Sequence, residues 1–96
     1  MKEFGLKWPH AVVPLKEWYK TVLRSDWRSF AEVKATFGQT DQVKVASGKT
    51  VCVFDIGGNR YRLVALISYP KGKVYILRVM THREYDRGRQ RWKDEL

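Results

Sequence analysis

The spacing of the apolar residues changes at Gly38, and this change limits the folds that the chain can adopt. From Pro14 onward the apolar side chains recur at intervals of three and four residues, which is the period of an amphipathic helix. Beyond Gly38 apolar and polar residues alternate, which is the period of a strand with one buried face. The sequence therefore predicts helices first and a sheet afterwards, an α+β fold with one layer packed on another.

Three helices are predicted in the first part of the chain. The longest begins at Pro14, because proline suits the first turn of a helix. A shorter helix precedes it at about Lys2 to Trp8, and another follows at about Phe30 to Phe37. The last of these opens with Ser29 and Glu32 in the spacing of a capping box. We interpret the aromatic side chains of these helices as core rather than as platforms for nucleobases: Trp18, Tyr19, Phe30 and Phe37.

Four strands are predicted in the second part, followed by a brief helix. The strands are placed at about Val43 to Val45, Thr50 to Ile56, Arg60 to Tyr69 and Lys73 to Val79. The turns Gly57-Gly58-Asn59 and Pro70-Lys71-Gly72 contain residues that accept unusual backbone angles. Such short connections require antiparallel neighbours, so the strands form a meander. The short C-terminal helix has Thr81 and Glu84 in capping-box spacing, and an arginine-rich tail follows it.

The charge of the chain limits the partners that it is expected to bind. Its 96 residues are predicted to form one domain, residues 1–96, with a net charge of +9. A positive potential of this size favours polyanions such as RNA, DNA or an acidic protein, although it is also compatible with a merely soluble surface. Cys52 is the only cysteine, so no intrachain disulfide can form. No window approaches 18 apolar residues and no leader is evident, so we expect a cytoplasmic protein without membrane contact.

Alternation assigns the side chains of the central strands to faces. Arg60, Arg62, Val64 and Leu66 share one face, whereas Tyr61, Leu63, Ala65 and Ile67 share the other and are expected to pack on the helices. In the next strand Arg78 is expected on the same face as Val74, Ile76 and Met80. Pairing of Tyr69 with Lys73 across the turn would place Met80 opposite Arg62.

Two arginines are thus predicted to meet on one face of the sheet. In that register Arg62 lies diagonally from Arg78, roughly 7–8 Å away. Two guanidinium groups in an apolar sheet repel each other unless an anion joins them. That anion is either a carboxylate of the chain, such as Asp55, or a phosphate, which the planar guanidinium fork binds with two hydrogen bonds.

A histidine and a tyrosine follow the last strand. His82 and Tyr85 are three residues apart on a helical turn, so they share a face and would adjoin the arginines. An imidazole titrates near neutrality, and beside a bound phosphate it could transfer protons to or from RNA oxygens. Alone, His82 is more typical of a capping or core residue, and only the combination favours a site.

Two blocks of the chain resemble the HigB family of toxins. The blocks are Val53-Phe54-Asp55-Ile56-Gly57-Gly58-Asn59-Arg60-Tyr61-Arg62-Leu63 and Tyr75-Ile76-Leu77-Arg78-Val79-Met80-Thr81-His82-Arg83-Glu84-Tyr85-Asp86, and the similarity extends from Trp18 to Asp86. HigB toxins belong to the RelE-like superfamily of bacterial type II toxin–antitoxin systems. The resemblance implies a RelE-like fold, and the sheet is expected to lack the short strand with which family members usually begin.

The resemblance also implies an activity and its partners. It implies an mRNA endoribonuclease, or mRNA interferase, that cleaves ribosome-bound message through attack by a ribose 2′-hydroxyl, without a metal or other cofactor. It further implies inhibition by a helix-turn-helix, HigA-like antitoxin, with operator DNA contacted only through that antitoxin.

By the same resemblance, residues can be given roles. Arg62 and Arg78 would stabilise charge on the phosphorus oxygens, and His82 and Tyr85 are candidates for general acid–base catalysis or base stacking. The RNA-binding candidates are Lys44, Lys49, Asn59, Arg60, Arg83 and Arg87. Two alternatives stay open: a protein of this fold that binds RNA or ribosomes without cleavage, and a toxin of this fold that poisons DNA gyrase.

Overall fold

The computed structural model describes residues 12–58 and 60–96, and helices flank a four-stranded sheet along the chain. The elements are α1 (Val12–Arg24), α2 (Phe30–Thr36), β1 (Asp41–Lys44), β2 (Thr50–Ile56), β3 (Tyr61–Ser68), β4 (Lys73–Thr81), α3 (His82–Arg87) and α4 (Arg89–Glu95). The α+β class and the order of helices and strands are confirmed. The helix predicted at about Lys2 to Trp8 lies outside the described residues. Within the described ranges, no helix combines the length and the apolar character needed to cross a membrane.

The sheet is an antiparallel meander in which sequence order equals spatial order, β1-β2-β3-β4. The turn between β2 and β3 depends on Gly57 and Gly58, whose φ angles of 65° and 61° lie in the left-handed region. A Cβ atom on Gly57 would also stand 3.4 Å from a side-chain carbon of Pro14, so this turn lies against the first helix. The turn therefore fixes both the hairpin and its contact with α1.

The pairing of β3 with β4 contains a bulge that the sequence reasoning missed. Val64 pairs with Arg78 but Ala65 pairs with Ile76, so Leu77 is an extra residue in β4. Met80 does lie opposite Arg62, as predicted, although the hairpin closes one residue away from the predicted pairing.

The bulge corrects the predicted faces of β4. Residues directly opposite each other in a sheet share a face, so Ile76 lies on the side of Ala65, whereas Arg78 lies on the side of Val64. The prediction that Val74, Ile76, Arg78 and Met80 share one face was therefore wrong. The extra residue reverses the alternation between Ile76 and Arg78.

One face of the sheet packs against α1 and α2. Buried residues of this core include Trp18 from α1, Val33 from α2, and Phe54 and Leu63 from the sheet. The rings of Trp18 and Phe54 meet edge to face with their centroids 5.3 Å apart. Tyr19 was predicted to join this core, but it is 49% exposed, because it lies on the outer side of α1.

The opposite face carries a second core, which the predicted two-layer arrangement did not include. Val51, Val53, Val64 and Met80 are buried there beneath Trp92 of α4, which is only 2% exposed. A backbone hydrogen bond of 3.0 Å from the amide of residue 46 to the carbonyl of residue 93 ties α4 to the segment after β1. The segment predicted as an arginine-rich tail is thus a helix, and the sheet is covered on both sides.

The two predicted capping boxes have different outcomes. At the start of α3, Thr81 Oγ1 accepts from the amide of Glu84 at 3.1 Å, and Glu84 Oε1 accepts from the amide of Thr81 at 3.0 Å, so this box is confirmed. At α2, Ser29 makes no side-chain cap hydrogen bond, and Glu32 accepts instead from the amide of Arg28. The chain therefore leaves β4 and enters α3 through a fixed junction.

We predict that Trp92→Ala weakens the fold strongly. Removal of a buried tryptophan leaves a cavity and typically costs about 3–5 kcal/mol of unfolding free energy. Tyr19→Ala is the matched control, because an exposed aromatic residue should change that free energy by roughly 0.5 kcal/mol or less. Urea denaturation of both variants measures the difference, and equal losses would show that α4 does not support the core.

We also predict that Cys52 is unreactive in the folded protein. Burial raises the pKa of its thiol to about 11, and only the thiolate reacts with alkylating reagents. Because the unfolded thiol ionises near 9.0, the contribution of Cys52 to stability is complete below that pH and is lost as the pH rises to about 11. Iodoacetamide labelling near neutral pH should be slow in buffer and fast in concentrated urea. Fast labelling of the native protein would contradict the burial.

Candidate functional site

Arg62 forms a cross-strand ion pair in the second face of the sheet. Asp55 is its direct partner across β2 and β3, and Arg62 Nε lies 3.2 Å from Asp55 Oδ1. The Arg62 side chain is 11% exposed, and its Nη1 also donates to the carbonyl of Tyr61 at 3.3 Å. A guanidinium among apolar strands needs such a partner, because an unpaired charge there would be poorly solvated.

A column of rings and cations extends from Arg62 to α4. The guanidinium carbon of Arg62 lies 5.5 Å from the ring centroid of Tyr85. Tyr85 stacks on Trp92 with centroids 5.5 Å apart and an interplanar angle of 29°, and Lys93 Nζ lies 6.0 Å from the Trp92 centroid. The Tyr85 ring therefore packs between a cation and the second core, where it orients Arg62.

Arg78 is paired with a carboxylate of the C-terminal helix. Arg78 Nη1 lies 2.6 Å from Glu95 Oε2, and Glu95 Oε1 lies 3.2 Å from Arg91 Nε. One carboxylate thus joins two guanidinium groups. The hydrogen bond from Arg78, with a smaller contribution from Arg91, lowers the pKa of Glu95.

A cavity of about 440 Å³ opens beside this ion-pair network. Arg78, Arg87 and Arg91 line it together with Glu84 and Glu95, and Trp92 forms part of its wall. A cavity of about 570 Å³ lies near the turn between β2 and β3; the described residues that line it include Asp55 but no lysine or arginine. Of these two cavities, the one beside α4 is suited to an anion.

His82 begins α3 and lies beside a carboxylate one turn later. Its Nε2 is 3.0 Å from Asp86 Oδ2, and its side chain is about half exposed. Nδ1 is buried and has no hydrogen-bond partner among the described residues. With Nε2 donating to Asp86, the unprotonated nitrogen faces the interior, so in this orientation proton exchange with a ligand requires Nε2.

The remaining candidates are distributed over the surface. Lys44, Lys49, Arg60, Arg83 and Arg87 are all exposed. Arg87 shares the cavity with Arg78, whereas Lys44 lies on β1, at the opposite edge of the sheet from β4. Asn59 lies outside the described residues. The structure brings together Arg62 with Tyr85 and Arg78 with Arg87, and it leaves Lys44 apart from both pairs.

In the structure, the basic side chains of the candidate site lie against carboxylates of the chain itself. Arg62 pairs with Asp55, Arg78 with Glu95, and His82 with Asp86 when its imidazole is protonated. The sequence left open whether a carboxylate of the chain or a phosphate pairs with the arginines, and the structure shows carboxylates. An incoming phosphate would have to compete with them.

The sequence reasoning missed the contribution of α4. Glu95 and Trp92 were not selected, although the chain held two signals for them. Tyr85, Trp92 and Leu96 are apolar at spacings of seven and four, which predicts a buried helical stripe, and Arg91 and Glu95 have the spacing of a helical ion pair. The short length of the segment and its many arginines concealed the pattern.

Comparison with known proteins places this chain among toxins. A family model described as HigB_toxin, RelE-like toxic component of a toxin-antitoxin system, matches residues 11–88. The mRNA interferase toxin HigB of Escherichia coli strain K12 is 33% identical over 86 residues, which cover 90% of this chain and 81% of the relative. The mRNA interferase HigB of Shigella flexneri has the same identity and coverage. That of Escherichia coli O6:H1 is 26% identical over 86 residues, covering 90% of this chain and 82% of the relative.

We predict that Asp55→Asn destabilises the protein by about 1–3 kcal/mol, because it removes the charged partner of a guanidinium that is nearly excluded from water. Asp41→Asn on the neighbouring strand is the control, since Asp41 is exposed and its charge is solvated. Urea denaturation compares the two. If both variants unfold at the wild-type midpoint, Asp55 does not hold Arg62.

Proposed function

The chain belongs to the HigB family of RelE-like toxins, and from this membership we propose that it is an mRNA interferase that inhibits translation. The observation that carries the proposal is the match over residues 11–88, which includes β3, β4 and α3 with Arg62, Arg78, His82 and Tyr85. The anion-suited cavity beside Arg78 supports it, because an RNA substrate presents a phosphodiester at every nucleotide. We further propose that residues 1–96 form a single domain and that the protein acts in the cytoplasm.

The proposed reaction is attack by a ribose 2′-hydroxyl on the adjacent phosphorus, without a cofactor. The bond to the 5′-oxygen breaks, leaving a cyclic phosphate and a 5′-hydroxyl. Negative charge increases on the non-bridging oxygens as the phosphorus gains its fifth ligand, and preorganised guanidinium groups stabilise it. Arg78 is the more accessible of the two arginines and would contact these oxygens, whereas Arg62 would act from within the sheet.

Proton transfer is assigned to His82 in this proposal. Its Nε2 lies on the half-exposed side of the ring and Asp86 orients it, so the imidazolium form could give its Nε2 proton to the departing 5′-oxygen and remain as the neutral ring, while the proton of the attacking 2′-hydroxyl would pass to water. Tyr85 would act as a positioning residue, because its ring is packed between Arg62 and Trp92. The RNA backbone would be held by Lys44, Lys49, Asn59, Arg60, Arg83 and Arg87.

A toxin of a toxin–antitoxin system has an antitoxin as its partner. We propose that this partner is a helix-turn-helix protein of the HigA type, and that operator DNA is contacted only through it. Message on the ribosome is the proposed substrate, since the net charge of +9 favours association with ribosomal RNA as well as with mRNA.

A second function, binding to RNA or ribosomes without cleavage, is favoured by one observation. Arg62, Arg78 and His82 each face an internal carboxylate in the free protein. Such pairing is as compatible with a surface that only binds RNA as with a catalytic centre that holds no substrate. Cleavage products distinguish the two functions.

We predict that Arg78→Ala lowers the rate of mRNA cleavage by roughly 100-fold, because it removes one donor to the transition state. Arg24→Ala is the matched control: it removes the same charge from α1, on the other side of the sheet, and should cleave at nearly the wild-type rate. The measurement is the mapping of new 5′ ends on message bound to ribosomes. A wild-type protein that yields no new 5′ ends would indicate binding alone, and equal cleavage by both variants would exclude Arg78.

A further inference from the structure

Glu95 holds a distinct position in the cavity beside α4. Its two carboxylate oxygens contact Arg78 and Arg91 at 2.6 and 3.2 Å, and Arg87 lines the same cavity. Among the described residues of the lining, the other carboxylate belongs to Glu84, which is committed to the capping box of α3. Glu95 is therefore the acidic side chain of this cavity that can move without loss of a cap.

A carboxylate that contacts two guanidinium groups lies where a bound phosphate would lie. Both anions present oxygens to the planar guanidinium fork, and both carry one negative charge when the phosphate is a diester. If Glu95 turned away, Arg78, Arg87 and Arg91 would remain around the cavity, and their mutual repulsion would favour the entry of another anion. The Glu95 side chain is 43% exposed, so a change of rotamer can release it while Trp92 stays buried.

We infer that the cavity formed by Arg78, Arg87 and Arg91 is a subsite for an RNA phosphodiester, and that Glu95 occupies this subsite until RNA displaces it. The inference deepens the proposed function, on which the identity of the ligand as RNA rests. It concerns α4, which lies beyond the residues that the family model matches.

The internal carboxylate makes the subsite selective. Glu95 is attached to the same chain, so its effective concentration at Arg78 is of millimolar order or higher. A single free phosphate must compete with it alone, whereas a phosphodiester within RNA is aided by every other contact of the backbone. Small anions should therefore bind weakly and polyanions should displace the carboxylate.

The test compares Glu95→Gln, Glu95→Asp and Glu17→Gln with the wild-type protein. Glu95→Gln removes the charge, and Glu95→Asp keeps it but shortens the reach to Arg78. Glu17→Gln removes one charge from exposed α1, on the opposite face of the sheet, and controls for net charge. The probes are inorganic phosphate, followed through the arginine Nε–H resonances, and a 2′-deoxy oligonucleotide that cannot be cleaved, followed by fluorescence anisotropy. Thermal unfolding verifies that each variant is folded.

We expect both Glu95 variants to bind the oligonucleotide about two- to fivefold more tightly than the wild type at low salt, the size expected for loss of a competing half-exposed ion pair. Inorganic phosphate should shift the Arg78 and Arg91 signals in Glu95→Gln and leave them nearly unchanged in the wild type. Glu17→Gln should behave like the wild type.

Three results would overturn the inference. They are unchanged oligonucleotide affinity in both Glu95 variants, an equal gain in Glu17→Gln, and phosphate-induced shifts that omit Arg78. Because the oligonucleotide cannot be cleaved, these results are independent of nuclease activity. Tighter binding by Glu95→Gln without cleavage of message by the wild type would support the subsite and reject the proposed function.

Discussion

The extra residue at Leu77 decides which side of the sheet receives each side chain of β4. On the turn side of the bulge, Val74 packs towards α1 and α2, and on the other side Arg78 and Met80 face α4. Without the bulge these residues would share one face, and a guanidinium would lie in line with apolar side chains that the core requires. Because of the bulge, the guanidinium of Arg78 reaches the cavity beside α4, and Val74 packs in the apolar core on the other face.

The position of Arg78 in turn depends on the second core. Trp92 closes the face of the sheet over Val64 and Met80, and it brings Arg91 and Glu95 of the same helix to the edge of β4. Tyr85 links this core to Arg62 through stacked contacts. The charged groups therefore lie at the border of an apolar layer, where a charge is stabilised chiefly by its immediate partner rather than by water.

The parts of the fold that rest on local pattern were predictable, and those that rest on distant partners were not. The helical spacing after Pro14 predicted α1, and the spacing of Thr81 and Glu84 predicted the cap of α3. The predicted pairing of Arg62 with Met80 was also correct. It was correct although Lys73 pairs with Ser68 rather than Tyr69, because the extra residue in β4 restores the predicted register beyond the bulge. The alternation of residues in β4 does not indicate the bulge, because the bulge depends on how both faces of the sheet pack against the helices. The burial of α4 was missed because its apolar stripe is short and lies among arginines, and a seven-residue helix depends on packing against the sheet for most of its stability.

The three carboxylate pairings of the candidate site, of which that of His82 is an ion pair only when the imidazole is protonated, differ in how readily another anion could replace the carboxylate. The side chains of Arg62 and Asp55 are 11% and 25% exposed, those of Arg78 and Glu95 are 33% and 43%, and those of His82 and Asp86 are 45% and 58%. A pair screened from water is costly to separate, whereas a solvated pair contributes little and exchanges its partners easily. The gradient therefore assigns different parts to the same kind of interaction. In the proposed function, Asp55 would be a permanent support for Arg62, Glu95 an exchangeable occupant of the cavity beside Arg78, and Asp86 a loosely held partner that orients the imidazole.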